Sequence, residues 1–314
     1  MSVGSRVGIY VDSANIAQNG GYGMQYEVLR ELGNHDNGEV TRLNAYLAYD
    51  FDRASSDPDY RKKTQNFFAT LRDIGYKVIE KRVRKYVDDE GNVAKKANSD
   101  MDMAVDALTQ SDKLERVILA TGDGDFVQVV RALQDRGLRV EAVAFSNVSQ
   151  ELRREVDMFI PGYLIPSLLP IQDAPDMPWG VLGSRVRGYC YYHSDLKHFG
   201  FMRFLGRYDK DLHITDTKNE RSPYLTAFFH DSNLPARLNP SELPSREVFF
   251  EFDLAESSRE GQFEAKNITL VGTLSGTGEL PARARVGAVA STQAVSSKEM
   301  SGTPSGNSAG PDGE

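Results

Sequence analysis

Short apolar runs alternate with longer helical patterns over residues 1–160, and this alternation is the feature that most constrains the fold. The apolar runs have the length and composition of buried strands, and they lie at residues 7–11, 41–47, 77–79, 117–120 and 140–144. Between them, apolar residues recur at helical spacing, at residues 60–75, 101–108 and 126–133. Strands that alternate with helices predict an α/β domain whose parallel sheet is covered by helices on both faces.

The sequence changes character after residue 160. Five prolines between 161 and 179 predict a semi-rigid linker, and such a linker leads us to expect few contacts between the domains on either side. Residues 180–272 contain short β-type runs with many aromatics, which predict a small all-β barrel. Residues 273–314 are rich in Gly, Ser, Thr, Ala and Pro and contain no aromatic residue, so we expect a disordered tail.

Charge and hydropathy exclude several classes of protein. The chain has 37 basic and 45 acidic residues, a net charge of −8, which argues against coating nucleic acid through a positive field. No apolar run approaches the roughly 20 residues that span a bilayer, and the N-terminus lacks the apolar core of a signal peptide. Cys190 has no disulfide partner in the chain. We therefore expect a cytoplasmic protein without membrane contact.

Aspartates follow two of the predicted strands directly. Asp12 comes after the run at 7–11, and Asp123 and Asp125 come after the run at 117–120. In an open parallel sheet, the loops at the carboxyl ends of the strands form the ligand crevice. We therefore expect these carboxylates to share one rim.

A third group of acids lies on the predicted helix at 101–108. Asp100 and Asp102 suit the first turn of a helix that Ser99 would cap, and this alone is a sufficient explanation for them. Asp102 and Asp106 are four residues apart and share a face, whereas Asp100 points elsewhere. At most two of these three acids can therefore face one ion.

Clustered carboxylates repel one another unless a cation lies between them. Mg²⁺ and Mn²⁺ accept hard oxygen ligands and keep several waters, which leaves room for a phosphate oxygen. Each aspartate taken singly is also typical of a helix cap or a turn. Their joint pattern favours a metal site that can activate water against a phosphodiester.

The ordered series of motifs resembles the NYN domain of the PIN-like nucleases, in its LabA-like branch. The series is Asp12-x-x-Asn15, Asp100-x-Asp102-x-x-x-Asp106 and Thr121-Gly122-Asp123-Gly124-Asp125-Phe126, and residues 152–160 resemble the end of that domain. The resemblance covers about residues 6–160. It implies a PIN-like fold, Mg²⁺ or Mn²⁺ as cofactor, and metal ligation and catalysis by Asp12, Asp100, Asp123 and Asp125. It further implies that Asn15 positions substrate or metal-bound water, and it leaves the roles of Asp102 and Asp106 open.

Basic runs lie near these acids in the sequence, at residues 61–63, 81–85 and 95–96. They could line a groove for a phosphate backbone. A solvated helix surface and a solvated edge strand explain the same runs equally well.

The β-rich segment alternates aromatics along two of its predicted strands. Phe199 and Phe201 share one strand face, as do Phe228 and His230. The two runs resemble the ribonucleoprotein motifs of cold-shock domains, which are OB-fold barrels that bind single strands. The resemblance implies nucleic-acid contacts by Tyr192, Lys197, Phe199, Phe201, Phe228 and His230. The alternative is that these aromatics form the core of a barrel that contacts the first domain.

These observations predict a metal-dependent ribonuclease that cleaves single-stranded RNA, with a C-terminal barrel that holds the strand. The alternative is an RNA-binding regulator with little or no catalysis, because LabA-like proteins are also associated with regulation. A phosphatase of the aspartyl-phosphate type would need a second aspartate two residues after Asp12. Ala14 stands there, so this class is excluded. Homo-oligomerisation is left open by the sequence.

Overall fold

The structure is a computed structural model that describes residues 4–87, 93–96, 99–171, 178–258 and 261–276. The first domain alternates strands and helices in chain order. Its strands are β1 (Arg6–Asp12), β2 (Glu39–Tyr49), β3 (Lys77–Arg82), β4 (Arg84–Val87), β5 (Val93–Lys96), β6 (Arg116–Ala120), β7 (Arg139–Ala144) and β8 (Met158–Pro161). Its helices are α1 (Ser13–Ile16), α2 (Tyr26–Asn34), α3 (Phe51–Ser56), α4 (Pro58–Asp73), α5 (Asp100–Thr109), α6 (Val127–Gln134) and α7 (Gln150–Glu155).

Six of these strands form one parallel sheet in the order β3-β2-β1-β6-β7-β8. β4 and β5 pair with each other as a separate antiparallel hairpin. The predicted parallel α/β sheet is therefore confirmed, and each of its five predicted strands lies within an observed one. No helix within the described ranges is both long enough and apolar enough to cross a membrane.

Helices cover both faces of the sheet because the central strands are apolar on both sides. On β1, Ile9 packs in one core with residues of α2 and α4, such as Leu29 and Phe68. Tyr10, which points to the opposite face, packs in a second core with residues of α5 and α6, such as Met103. Both cores exclude water, so β1 is fixed at the centre of the domain.

The second domain is a closed five-stranded barrel. Its strands are β9 (Arg185–Ser194), β10 (Phe199–Leu205), β11 (Tyr224–His230), β12 (Val248–Glu256) and β13 (Phe263–Thr273). They close in the order β10-β11-β13-β12-β9, with β11 and β13 parallel and the other pairs antiparallel. The interior is filled by side chains such as Met202, Phe204 and Phe229.

The segment predicted as a linker, residues 161–179, begins inside the packed part of the first domain. Pro161 ends β8, and the side chains of Tyr163 and Leu168 are almost completely buried. Residues 172–177 of this segment lie outside the described residues, as does the predicted tail from residue 277 onward.

The two domains share an apolar interface, so the expectation of few contacts between them is wrong. The ring centroid of Tyr163 lies 5.4 Å from that of Phe249 on β12. Leu274, just after β13, is buried in the core of the first domain. Arg153 of α7 donates two hydrogen bonds, of 2.9 and 2.7 Å, to the carboxylate of Glu247. The barrel therefore covers part of the first domain.

Candidate functional site

Asp12 ends β1 at the carboxyl edge of the sheet, and only 3% of its surface is exposed. It caps α1, since its Oδ1 accepts a hydrogen bond of 3.1 Å from the backbone N–H of Asn15. Burial raises the pKa of Asp12 to about 6, and the charges of Asp100 and Asp123 act in the same direction. Carboxylates from three separate elements therefore lie close together at this edge.

The loop after β6 carries Asp123 and Asp125. Its backbone is fixed by Thr121, a buried residue whose hydroxyl accepts a hydrogen bond of 3.2 Å from the N–H of Asp123. The Oδ1 of Asp123 in turn accepts a hydrogen bond of 3.0 Å from the N–H of Asp125. Asp123 is half-buried, whereas Asp125 is exposed and is not among the groups that shift the pKa of Asp12.

Asn15 ties this loop to α1. Its Oδ1 accepts a hydrogen bond of 2.9 Å from the backbone N–H of Gly122. β1 and β6 are neighbours, with Val11 opposite Ala120, so the residues that follow the two strands meet at the same edge. Asn15 thus fixes the loop that carries Asp123 beside Asp12.

The three acids of α5 have different neighbours. Asp100 is half-buried at the start of the helix, and its charge acts on Asp12. Asp102 forms an ion pair with Lys81 of β3, and Asp106 accepts a hydrogen bond of 2.8 Å from the hydroxyl of Tyr46. Asp100 is therefore the α5 acid whose charge acts on Asp12.

The cap predicted for α5 is confirmed in position but not in hydrogen bonding. Ser99 precedes the helix, but its side chain makes no capping hydrogen bond. Asp100 and Asp102, in the first turn, therefore stabilise the start of the helix through their interaction with the helix dipole.

We call Asp12, Asp100 and Asp123, at the carboxyl edge of the sheet, the rim carboxylates. Their donor atoms fit a hard divalent cation. Asp12, Asp100 and Asp123 supply only carboxylate oxygens, and a cation between them would relieve the repulsion that adds to the effect of burial on the pKa of Asp12. Within the described residues, no three His, Cys, Asp or Glu side chains converge closely enough to hold an ion directly. Mg²⁺ usually retains several waters, and these can bridge the remaining distances.

The barrel presents a continuous aromatic surface to solvent, formed by Tyr192, Phe199, Phe201 and Phe228. Phe201 on β10 lies opposite Tyr192 of β9 and Phe228 of β11. Ring centroids of neighbouring members are 5.7 to 6.1 Å apart. Tyr192 is 45% exposed and the three phenylalanines are half-buried, so these rings are not the barrel core.

The other residues predicted to bind nucleic acid lie around this surface. His230 is exposed at the end of β11, and Lys197 is exposed in the turn between β9 and β10. Arg203 follows Phe199 and Phe201 in the alternation along β10, but it is buried, and its guanidinium carbon lies 4.1 Å from the ring centroid of Tyr191.

The first domain is an α/β domain whose carboxylates gather at the carboxyl ends of β1 and β6, and its sequence identifies the family to which it belongs. Residues 6–168 match the sequence model of the NYN domain, and the chain belongs to that family. NYN domains are part of the PIN-like nuclease superfamily.

The chain is also similar to individual proteins. The chain is 25% identical over 179 residues to the low amplitude and bright protein LabA of Synechococcus elongatus, which spans 55% of this chain and 91% of that protein. It is 24% identical to a protein of unknown function from Vibrio parahaemolyticus whose crystal structure is known. That match covers 51% of this chain and 94% of the other, with a TM-score of 0.41.

Proposed function

We propose that this protein is a metal-dependent ribonuclease that cleaves single-stranded RNA with the help of Mg²⁺ or Mn²⁺. The observation that carries the proposal is that Asp12, Asp100 and Asp123 lie close enough at the carboxyl edge of the sheet for the charges of Asp100 and Asp123 to act on Asp12. Membership of a family within the PIN-like nucleases supports the same reaction class.

Each residue at the rim would have a distinct role. Asp12, Asp100 and Asp123 would hold the cation, and the exposed Asp125 could add a fourth carboxylate from the solvent side. Asn15 would keep the loop of Asp123 in place through its bond to Gly122. When bound, the cation would activate water and neutralise the charge that develops on the phosphate. Asp12 must lose its proton first, which its pKa of about 6 allows at neutral pH.

The barrel would bind the same strand of RNA. Its strand order, with the third and fifth strands parallel, supports an OB-fold of the cold-shock type. The exposed ring of Tyr192 and its three phenylalanine neighbours offer stacking platforms, each worth ~1–3 kcal/mol per base. Lys197 and His230 at the margin would contact phosphates or base edges.

A second candidate function is RNA binding without cleavage, as in a regulator. The observation in its favour is that no three acids among the described residues converge on one point as they stand. Both functions involve RNA, and only the enzyme requires the cation for a chemical step.

Labelled single-stranded RNA incubated with the full chain tests the proposal. We expect cleavage with Mn²⁺ or Mg²⁺ and none with a chelator, because the carboxylates alone supply no means of activating water. Binding of RNA that stays intact under every metal condition would favour the regulator.

A further inference from the structure

A second concave site lies in the first domain, on the side of the sheet covered by α4. It is a cavity of about 490 Å³ between the end of β2, α3 and α4. The lining residues that bear on its chemistry are Tyr49, Phe51, Arg61, Gln65, Phe68 and Arg72. None of the rim carboxylates lines it, so it is a separate site.

Phe51 gives this cavity an exposed aromatic wall. The side chain is 44% exposed, although a phenylalanine next to the core would normally be covered. Tyr49 packs against it, with ring centroids 4.6 Å apart and planes at 80°. The guanidinium carbon of Arg82 lies over the same ring, 5.7 Å from its centroid. An aromatic ring held by these two contacts and still partly open to solvent suits the stacking of a second flat ring.

Arg61 and Gln65 supply polar groups on the opposite wall. They are four residues apart on α4 and therefore share one helix face. Both are exposed, and neither side chain has a hydrogen-bond or ion-pair partner among the residues that the structure describes. Arg72, by contrast, is engaged with Glu80 at 2.7 Å. Arg61 can bind a phosphate, and the amide of Gln65 can both donate to and accept from a base edge.

The cavity lies towards the same edge of the sheet as the rim carboxylates, but α4 covers the opposite face of the sheet from α5, which carries Asp100. Asp12 lies opposite Tyr46 on β2, and Tyr49 is three residues further along that strand. At a rise of ~3.3 Å per residue, Tyr49 is roughly 10 Å beyond the partner of Asp12.

We propose that this cavity binds one unpaired nucleobase of a single-stranded RNA. The base stacks on Phe51, Gln65 contacts its edge, and Arg61 contacts the adjoining phosphate. This inference rests on the proposed function in one respect only, namely that the ligand is RNA. It assigns a role to part of the basic run at 61–63 and to an exposed phenylalanine that the fold does not require.

The test measures the affinity of the full chain for a set of single-stranded RNA oligonucleotides, each lacking one base at a different position. A chelator keeps the RNA intact. We expect one abasic position to weaken binding to the unaltered protein by about five- to a hundredfold, as the loss of one stacked base would. Phe51→Ala should weaken binding of the complete RNA similarly and should abolish the penalty at that position.

Two matched controls accompany this variant. Phe67 is also on the surface of the first domain and is 41% exposed, but it does not line the cavity, so Phe67→Ala should keep the abasic penalty. Arg61→Gln should weaken binding, whereas Lys62→Gln, which removes the neighbouring exposed charge, should do so much less.

A fluorescence readout separates this inference from the cleavage reaction. The chain contains a single tryptophan, so Phe51→Trp introduces a reporter whose emission a stacked base should quench. We expect quenching by complete RNA and none by the RNA lacking the base in question.

If RNA binds but no abasic position couples to residue 51, the inference is overturned and the proposed function stands. If position-specific coupling occurs without metal-dependent cleavage, the inference holds and the nuclease proposal fails. Absence of any RNA binding overturns both.

Discussion

The side-chain oxygen of Asn15 accepts a hydrogen bond of 2.9 Å from the backbone N–H of Gly122, which follows a strand more than one hundred residues later. This bond joins the helix capped by Asp12 to the loop that carries Asp123. The two carboxylates are thereby fixed after neighbouring strands of the sheet, where the charge of Asp123 helps to raise the pKa of the buried Asp12. The catalysis that we propose at this edge would depend on such pre-arranged geometry.

The first prediction concerns the acids of α5. Asp100→Asn should lower metal-dependent cleavage of RNA by at least tenfold, because it removes a negative ligand while it preserves side-chain shape. Asp102→Asn should have little effect, since Asp102 pairs with Lys81 on the sheet. Initial rates at saturating Mn²⁺ compare the two variants. Equal losses in both would contradict the assignment of Asp100 to the rim.

The second prediction concerns pH. The pKa of Asp12 is about 6 in the folded chain against 3.8 as the ordinary value, so its carboxylate opposes folding above pH 6. This penalty is absent below pH 4, grows as the pH rises to about 6, and reaches ~3 kcal/mol at most. Asp12→Asn removes it and retains a good helix cap.

With a chelator present, we therefore expect Asp12→Asn to melt at a higher temperature than the unaltered chain at pH 8. The difference should shrink towards pH 4. Thermal melting at several pH values measures it. A gain independent of pH would mean that burial of the charge is not the cause.

The third prediction concerns the aromatic surface of the barrel. Replacing both Phe199 and Phe228 with Ala should remove ~2–6 kcal/mol of gross stacking and lower RNA affinity at least tenfold. Folding should change little, because both rings are on the outside.

Two other substitutions are the controls for this prediction. Leu225→Ala, at an exposed position of β11 outside the aromatic surface, should leave affinity intact. Phe204→Ala, in the barrel core, should cost ~3–5 kcal/mol of stability. Unchanged RNA affinity in the folded double variant would remove the role proposed for this surface.

The fourth prediction concerns the interface between the domains. A chain that ends at residue 171 would expose apolar side chains that now contact Phe249 and Leu274. We expect it to melt at a lower temperature than the full chain, or to aggregate. A chain that ends at residue 276 keeps this interface and should melt like the full chain. A soluble fragment 1–171 with the melting temperature of the full chain would show that the barrel contributes no stability.

Much of the fold was predictable because it depends on local patterns. Apolar runs such as 7–11 and 117–120 identify buried strands, and the acids that follow them must lie at the carboxyl edge of any parallel sheet. Alternation along β10 likewise separates the outward Phe201 from the inward Met202. These features follow from the periodicity of the sequence, which is the same wherever the rest of the chain lies.

Tertiary structure decided which of these residues act on one another. The spacing of the three α5 acids separates Asp100 from Asp102 and Asp106 but names no neighbour for any of them, and only the packed structure shows that Asp102 pairs with Lys81, that Asp106 pairs with Tyr46 and that the charge of Asp100 acts on Asp12. Prolines after residue 160 predict a separating linker, yet Tyr163 is buried against the barrel. Such contacts join residues far apart along the chain, and spacing carries no information about them because their proximity arises only when the whole core closes.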